Sequence, residues 1–280
     1  MKKISGYVGL LPLISFMSIF LGLPLVAIVK FSFLNSENQF TLNNFSTIST
    51  GIYRDAFWLS FQLSFASAAL SLFFGFLFAY AIATSNIRAL RRAVATASGV
   101  LANTGGVPLA FMFIAVLGTY GMLTTWLKEI GVDIYSGSWT LYSFSGILIV
   151  YLYFQVPLMV LISLPVFENI RREWRDAAES LGANTFTYWR RILFPILTPQ
   201  LLGFFLLLFA NSFAAYATAA ALTSGSLALV PVQIASLIGS NVQVDGANTA
   251  MALGLGMVFL VGASTIGYAI LEKRSSRWRR

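Results

Sequence analysis

Long apolar runs, divided by short polar or charged stretches, set the pattern of this chain. Six are long enough to cross a membrane as helices, at about residues 7–29, 57–83, 98–124, 141–166, 200–222 and 249–271. Their apolar residues run on without alternation, which predicts helices and not the strands of a barrel. The first run follows Lys2 and Lys3; it is too long for a signal peptide and lacks a clear small-residue cleavage site, so it reads as a retained span. In the second, Ser60, Ser64, Ser67, Ser71 and Gly75 recur at helical spacing, a small-residue face suited to close packing in lipid. Gly254, Gly256, Gly262 and Gly267 give the sixth run a similar character.

The third run is too long for one straight helix. No charge occurs from Ala93 to Thr125, 33 residues, which as a helix is about 50 Å against a hydrocarbon core of about 30 Å. The stretch Asn103-Thr104-Gly105-Gly106-Val107-Pro108 accounts for the surplus in one of two ways. It breaks the helix inside the protein and frees backbone groups there, or it kinks a helix whose first segment lies at the interface. Amides are scarce in the spans, and Asn103, Gln155 and Asn211 place one in each of three. An amide in hydrocarbon must find partners. These three either bond between helices or line a wet path together with Gly105 and Tyr216.

One stretch between apolar runs is rich in charge. Residues 167–199 hold nine of the 28 charged residues. Apolar Phe167, Ile170, Trp174, Ala177 or Ala178, and Leu181 recur at spacings of three and four, which predicts an amphipathic helix that Gly182 stops. Asn184 or Thr185 then caps a second short helix carrying Phe186, Trp189 and Ile192, with Pro195 marking its end.

Composition agrees with a membrane protein: 58% hydrophobic, 10% charged, mean hydropathy +0.78. The net charge of +8 is not a nucleic-acid footprint, because the basic residues sit in the short connections between spans. Fifteen of the 18 Lys and Arg fall in the N-terminus, the 88–92 turn, the 167–199 loop and the tail, against Lys30, Arg54 and Lys128 elsewhere. The positive-inside rule therefore predicts both termini in the cytoplasm.

Cysteine and histidine are absent, and no Asp or Glu lies in a predicted span. An ordinary catalytic site would have to be built from the ten Asp and Glu outside the apolar runs, so neither enzymatic activity nor a cofactor is expected. Proton relays through the spans lack their usual carboxylates. No P-loop pattern occurs, so nucleotide would have to be bound by a partner. The residues alone leave a six-span transporter, a channel, or a secondary carrier with a partner-docking loop.

Asp176-Ala177-Ala178, then three residues, Gly182, nine residues, Ile192, two residues and Pro195 resembles the EAA loop of the membrane (permease) subunits of binding-protein-dependent ABC importers. Asp176 stands where that family usually has Glu, and Phe194 where it has Leu. The resemblance implies an all-α, polytopic bundle of six transmembrane helices of the type I importer kind, a single domain over 1–280. It implies that 167–199 is a cytoplasmic coupling loop that docks an ATPase, through Trp174, Asp176, Ala177, Ala178, Glu179, Leu181, Gly182, Ile192 and Pro195. The partners it implies are two ATP-binding subunits, a second permease subunit in a heterodimer, and an extracytoplasmic solute-binding protein, all at the inner membrane of a bacterium. The stretches Asn103–Gly118 and Phe209–Ile234 are most similar to permeases for polyamines, aminoethylphosphonate and comparable small solutes.

Overall fold

The computed structural model describes residues 11–85, 87–137, 139–223, 227–239 and 245–276. Lys2 and Lys3, residues 7–10 of the first expected span, 224–226 and 240–244 of the loop before the sixth, and 277–280 of the tail lie outside the described residues. Twelve helices account for nearly all of the rest: α1 Pro12–Ser32, α2 Asn43–Ile48, α3 Gly51–Thr84, α4 Arg88–Asn103, α5 Val107–Leu117, α6 Met122–Glu129, α7 Phe144–Glu168, α8 Arg172–Ser180, α9 Thr185–Phe213, α10 Tyr216–Thr223, α11 Val230–Gly239 and α12 Gly246–Ser276. Among the described residues the extended structure is one isolated bridge, Leu34 to Phe40. Among the described residues six segments are long and apolar enough to cross a membrane: α1, α3, α5 with α6, α7, α9, and α12 to Lys273.

The chain forms two compact units. The first comprises residues 1–57 and 230–259. Its core is Tyr53, Leu237, Ala250 and Leu253 with Ile48, Phe57 and Ile234 against them. Asn44 is buried and donates to the carbonyls of Ser32 (3.0 Å) and Leu34 (2.8 Å), which ties the turn after α1 to α2. Gly256 lets α12 meet α3 closely, since a Cβ there would come within 2.9 Å of the Phe57 ring.

The second unit, residues 58–229 and 260–280, is built around α7. Tyr151, Ile147, Val150, Gln155 and Met159 of that helix are almost fully buried. Met159 fits against Gly75 of α3, where a Cβ would lie 2.5 Å from the methionine side chain. Ser60, Ser64, Ser67 and Ser71 are all buried, and the Ser67 hydroxyl meets that of Ser212 on α9 at 2.7 Å. The serine face is thus a packing face, and Ser67 makes a hydrogen-bonded crossing on it.

The third and fifth spans depart from simple rods. Between Arg88 and Glu129 the chain forms three helices, with Thr104–Gly106 separating α4 from α5. Gly106 has φ +79°, a conformation glycine adopts without the steric cost other residues bear. Pro195, expected to end a short helix, lies instead inside the continuous α9 with Pro199. The reason is a wide π turn over Trp189–Leu193, immediately before it. That turn already gives up the regular i→i−4 bonding that a proline disrupts. At its other end α9 stops at Phe213, and α10 follows after Ala214 and Ala215.

Candidate functional site: two cross-bonded helix breaks and a docking helix

Backbone groups freed by a helix break in an apolar bundle must be satisfied internally. The two breaks of the second unit do this for each other. The N–H of Gly106 donates to the Thr218 hydroxyl of α10 at 2.8 Å, and that hydroxyl reaches the Gly106 carbonyl at 3.4 Å. Behind them, the Tyr151 hydroxyl donates to the carbonyl of Ala215 at 2.9 Å, which satisfies the acceptor released where α9 ends. Asn103 bonds back to its own helix, Nδ2 to the Gly99 carbonyl at 2.8 Å. Both ends of the interruption are therefore fixed rather than frayed.

A groove of about 470 Å³ opens where the breaks meet. Asn103, Gly105, Gly106, Asn211, Tyr216 and Thr218 line it, with alanines and Phe154 completing the wall. Four of the five residues expected along a wet path, Asn103, Gly105, Asn211 and Tyr216, thus share one surface. Gln155 does not reach it. Fully buried, it donates from Nε2 to the Leu208 carbonyl at 2.8 Å and accepts from Asn211 Nδ2 at 3.5 Å. Its place is behind the wall, holding α7 to α9 and steadying Asn211. Sequence reasoning named Gly106 as part of the break but missed Tyr151 and Thr218. Thr218 becomes meaningful only once α10 is known to be separate. Among its lining residues the groove has hydrogen-bonding dipoles and aromatic rings but no charged side chain.

The second region is the charged connection from α7 to α9. Ile170, Trp174 and Ala178 of the predicted apolar stripe turn inward. They pack on the ends of α3 and α7 and on the first turns of α9, with Phe167, Tyr188, Leu193, Tyr80 and Ile192. Leu181 does not follow them: it is 88% exposed, and Phe186 beyond the turn is 68% exposed. Asp176, Ala177, Glu179, Gly182 and Pro195 are exposed as well. Arg175 and Glu179 form an i,i+4 ion pair at 2.9 Å, and the carboxylate holds the guanidinium pKa above its ordinary value.

The turn between these helices has a defined build. The N–H of Gly182 donates to the Glu179 carbonyl and that of Ala183 to the Ala178 carbonyl, both at 2.9 Å, the paired bonds of a Schellman cap. Gly182 takes φ +76°. Asn184 then caps α9, its Oδ1 accepting from the Thr187 N–H at 2.8 Å. Sequence singled out Leu181 and Gly182 but not Phe186, whose exposure depends on which face of α9 packs inward. Nearby, Arg91 of α4 donates to the carbonyls of Ala83 and Ser85 (3.0 and 2.9 Å) and stands 3.7 Å from Glu168, joining α4 to the ends of α3 and α7.

Fold and site together define a multi-pass membrane protein with interrupted helices around an uncharged groove and an amphipathic helix in a charged connection between spans. Residues 88–277, more than half of the chain, match the family described as binding-protein-dependent transport system inner membrane component, and the chain belongs to that family. Among curated relatives, it is similar to the thiamine transport system permease protein ThiP of Escherichia coli K12, 29% identical over 60% of this chain and 30% of that protein. It is also similar to the probable sulfate transport system permease protein cysT of Nephroselmis olivacea, 25% identical over 65% of this chain and 62% of the relative. The spermidine/putrescine transport system permease protein PotB of Haemophilus influenzae is 24% identical over 68% of each. The chain thus spans less than two thirds of the length of the first two. Among solved structures, it superposes on a bacterial ABC transporter involved in the import of the acidic polysaccharide alginate, with a TM-score of 0.72, 18% identity, and coverage of 99% and 96% of the two chains. At that identity the likeness establishes the fold.

Proposed function

We propose that this chain is the membrane subunit of an ATP-driven importer, and that residues 167–199 dock an ATP-hydrolysing subunit. The observation that carries the proposal is the exposed, capped turn at Gly182 in a chain of the permease family. Trp174, Ala178 and Ile192 fasten α8 to its own bundle, so a push on α8 is transmitted to α3, α7 and α9. Asp176, Ala177, Glu179, Leu181, Gly182 and, at the foot of α9, Pro195 then remain for the partner, with Phe186 beside them. The solute passes the groove at Asn103, Gly105, Asn211 and Tyr216, and Gln155 supports its wall.

The assembly comprises two ATP-binding subunits, a second, different permease and an extracytoplasmic solute-binding protein, with both termini of this chain in the cytoplasm. Such a binding protein recurs in a related fold, solved as an alginate ABC transporter in complex with alginate pentasaccharide-bound periplasmic protein. The solute is small, of the polyamine or phosphonate kind. Neutral dipoles let it pass without holding it tightly, which leaves selection to the binding protein.

The absence of cysteine from the chain makes the orientation directly testable. Ser136→Cys, in the loop after α6, is expected to react with a membrane-impermeant maleimide in intact cells, whereas Ser180→Cys reacts only after permeabilisation. Labelling of Ser180→Cys in intact cells would remove the docking loop from the side where ATP is hydrolysed, and the proposed function with it.

A further inference from the structure

A pocket of about 200 Å³ beside α8 has no part in the roles above. It lies where the end of α3, the end of α7, α8 and the first turns of α9 converge. Phe167 and Trp189 give it an apolar floor, and its polar rim carries Arg171, Arg175, Tyr80, Tyr188 and Thr185. The rim side chains are all hydrogen-bond donors, and the two guanidinium groups can only donate. Among the described residues the Arg171 side chain has neither a hydrogen bond nor an ion pair. Arg175 spends its Nε on Glu179, and among the described residues its terminal nitrogens have no partner. Tyr188 is only 7% exposed, yet among the described residues its hydroxyl has no hydrogen-bond partner, and Arg175 and Tyr80 lie close enough to act on it electrostatically. No carboxylate lines the pocket.

Donors gathered around an electropositive, partly apolar pocket call for an oxyanion. We propose that this pocket binds a phosphate group, carried by an anionic phospholipid or free in solution. Two guanidinium groups and two phenols match the acceptor oxygens of a phosphate, and the aromatic floor suits a headgroup entering from the bilayer edge. Basic pockets between helices at a cytoplasmic membrane face are where anionic headgroups bind. A phosphate seated there bridges α8 to α3 and α9 and clamps the docking helix to the bundle. The binding itself does not depend on which side of the membrane α8 faces, nor on the identity of the transported solute.

The test uses the complex purified in detergent with the subunits that accompany this chain, stripped of lipid. Melting midpoints are measured with phosphatidylglycerol, with phosphatidylcholine and with inorganic phosphate. Phosphatidylglycerol is expected to raise the midpoint and phosphatidylcholine to leave it unchanged. Arg171→Gln weakens the effective concentration about fivefold, and Arg171→Gln with Arg175→Gln about twenty-five-fold. Arg190→Gln, on the same loop but outside the pocket, does not. A shift by phosphatidylglycerol alone assigns the phosphate to lipid, and an equal shift by inorganic phosphate assigns it to a soluble source. Because the Arg171 side chain holds no contact the fold needs, its single substitution decides the matter even where the double variant assembles poorly. The proposal is overturned if neither probe shifts the midpoint, or if Arg171→Gln responds as the parent does.

Discussion

Gly182→Val is expected to uncouple the transporter while leaving its helices inserted. Nothing lies within 4 Å of where a Cβ would stand, so the substitution causes no clash with the surrounding protein. The penalty is conformational: Gly182 sits at φ +76°, and a side chain in that region costs about 1–2 kcal/mol, with β-branched valine at the upper end. That energy is enough to depopulate the turn by roughly 5- to 30-fold. The two bonds that Gly182 and Ala183 make to α8 go with it, and the angle at which Leu181 and Phe186 are presented is lost. Gly182→Asn separates this cause from others, because asparagine tolerates left-handed backbone far better than valine. The asparagine variant should retain most of the ATP-driven uptake of the parent and the valine variant little. Equal activity in the two would show that the turn's geometry is not what couples.

The groove gives the second large effect, and two amides separate its functions. Asn103→Leu places an isobutyl group on the groove wall and removes only a bond to the residue's own helix. Uptake in proteoliposomes of the whole complex should be strongly reduced, with the melting midpoint unchanged. Gln155→Leu does the reverse. It removes the Nε2 donor from the Leu208 carbonyl and takes the partner from Asn211, and leaving the buried acceptor short of its donor costs about 1–3 kcal/mol. Its melting midpoint should fall, with uptake per surviving complex much closer to the parent. Parent-like uptake by Asn103→Leu would leave the groove a packing feature.

These contrasts also mark what the sequence could reveal. The six apolar runs are legible because lipid demands unbroken hydrophobicity at a fixed length. Gly182 and the Gly105-Gly106 break are legible because glycines next to other turn or proline signals punctuate helices. The second break is not: Ala214 and Ala215 carry no such signal, and the groups there are satisfied by pairings distant in sequence, Tyr151 with Ala215 and Thr218 with Gly106. The continuity of α9 through Pro195 is hidden for the opposite reason, since a π turn absorbs the punctuation. Periodicity placed Ile170, Trp174, Ala178 and Leu181 on one stripe, yet three turn to the bundle and Leu181 stands out. A stripe shows which residues share a face; its covering is decided by the tertiary fold. Gln155 looked like Asn103 in sequence because both are lone amides, and burial alone separates the wall from its support.

The central claim is that the turn after α8 docks an ATPase, and co-purification tests it most directly. Leu181 and Phe186 are the large apolar groups exposed on either side of the Gly182 turn. Burying each against a partner is worth about 1.5–3 kcal/mol, so losing both should weaken association at least about a hundredfold. The chain, tagged and extracted in mild detergent, is expected to bring down an ATP-hydrolysing subunit. The same chain carrying Leu181→Asp and Phe186→Asp, equally well inserted, should bring down almost none. If the double variant retains that subunit as the parent does, the docking surface lies elsewhere and the account of this turn is contradicted.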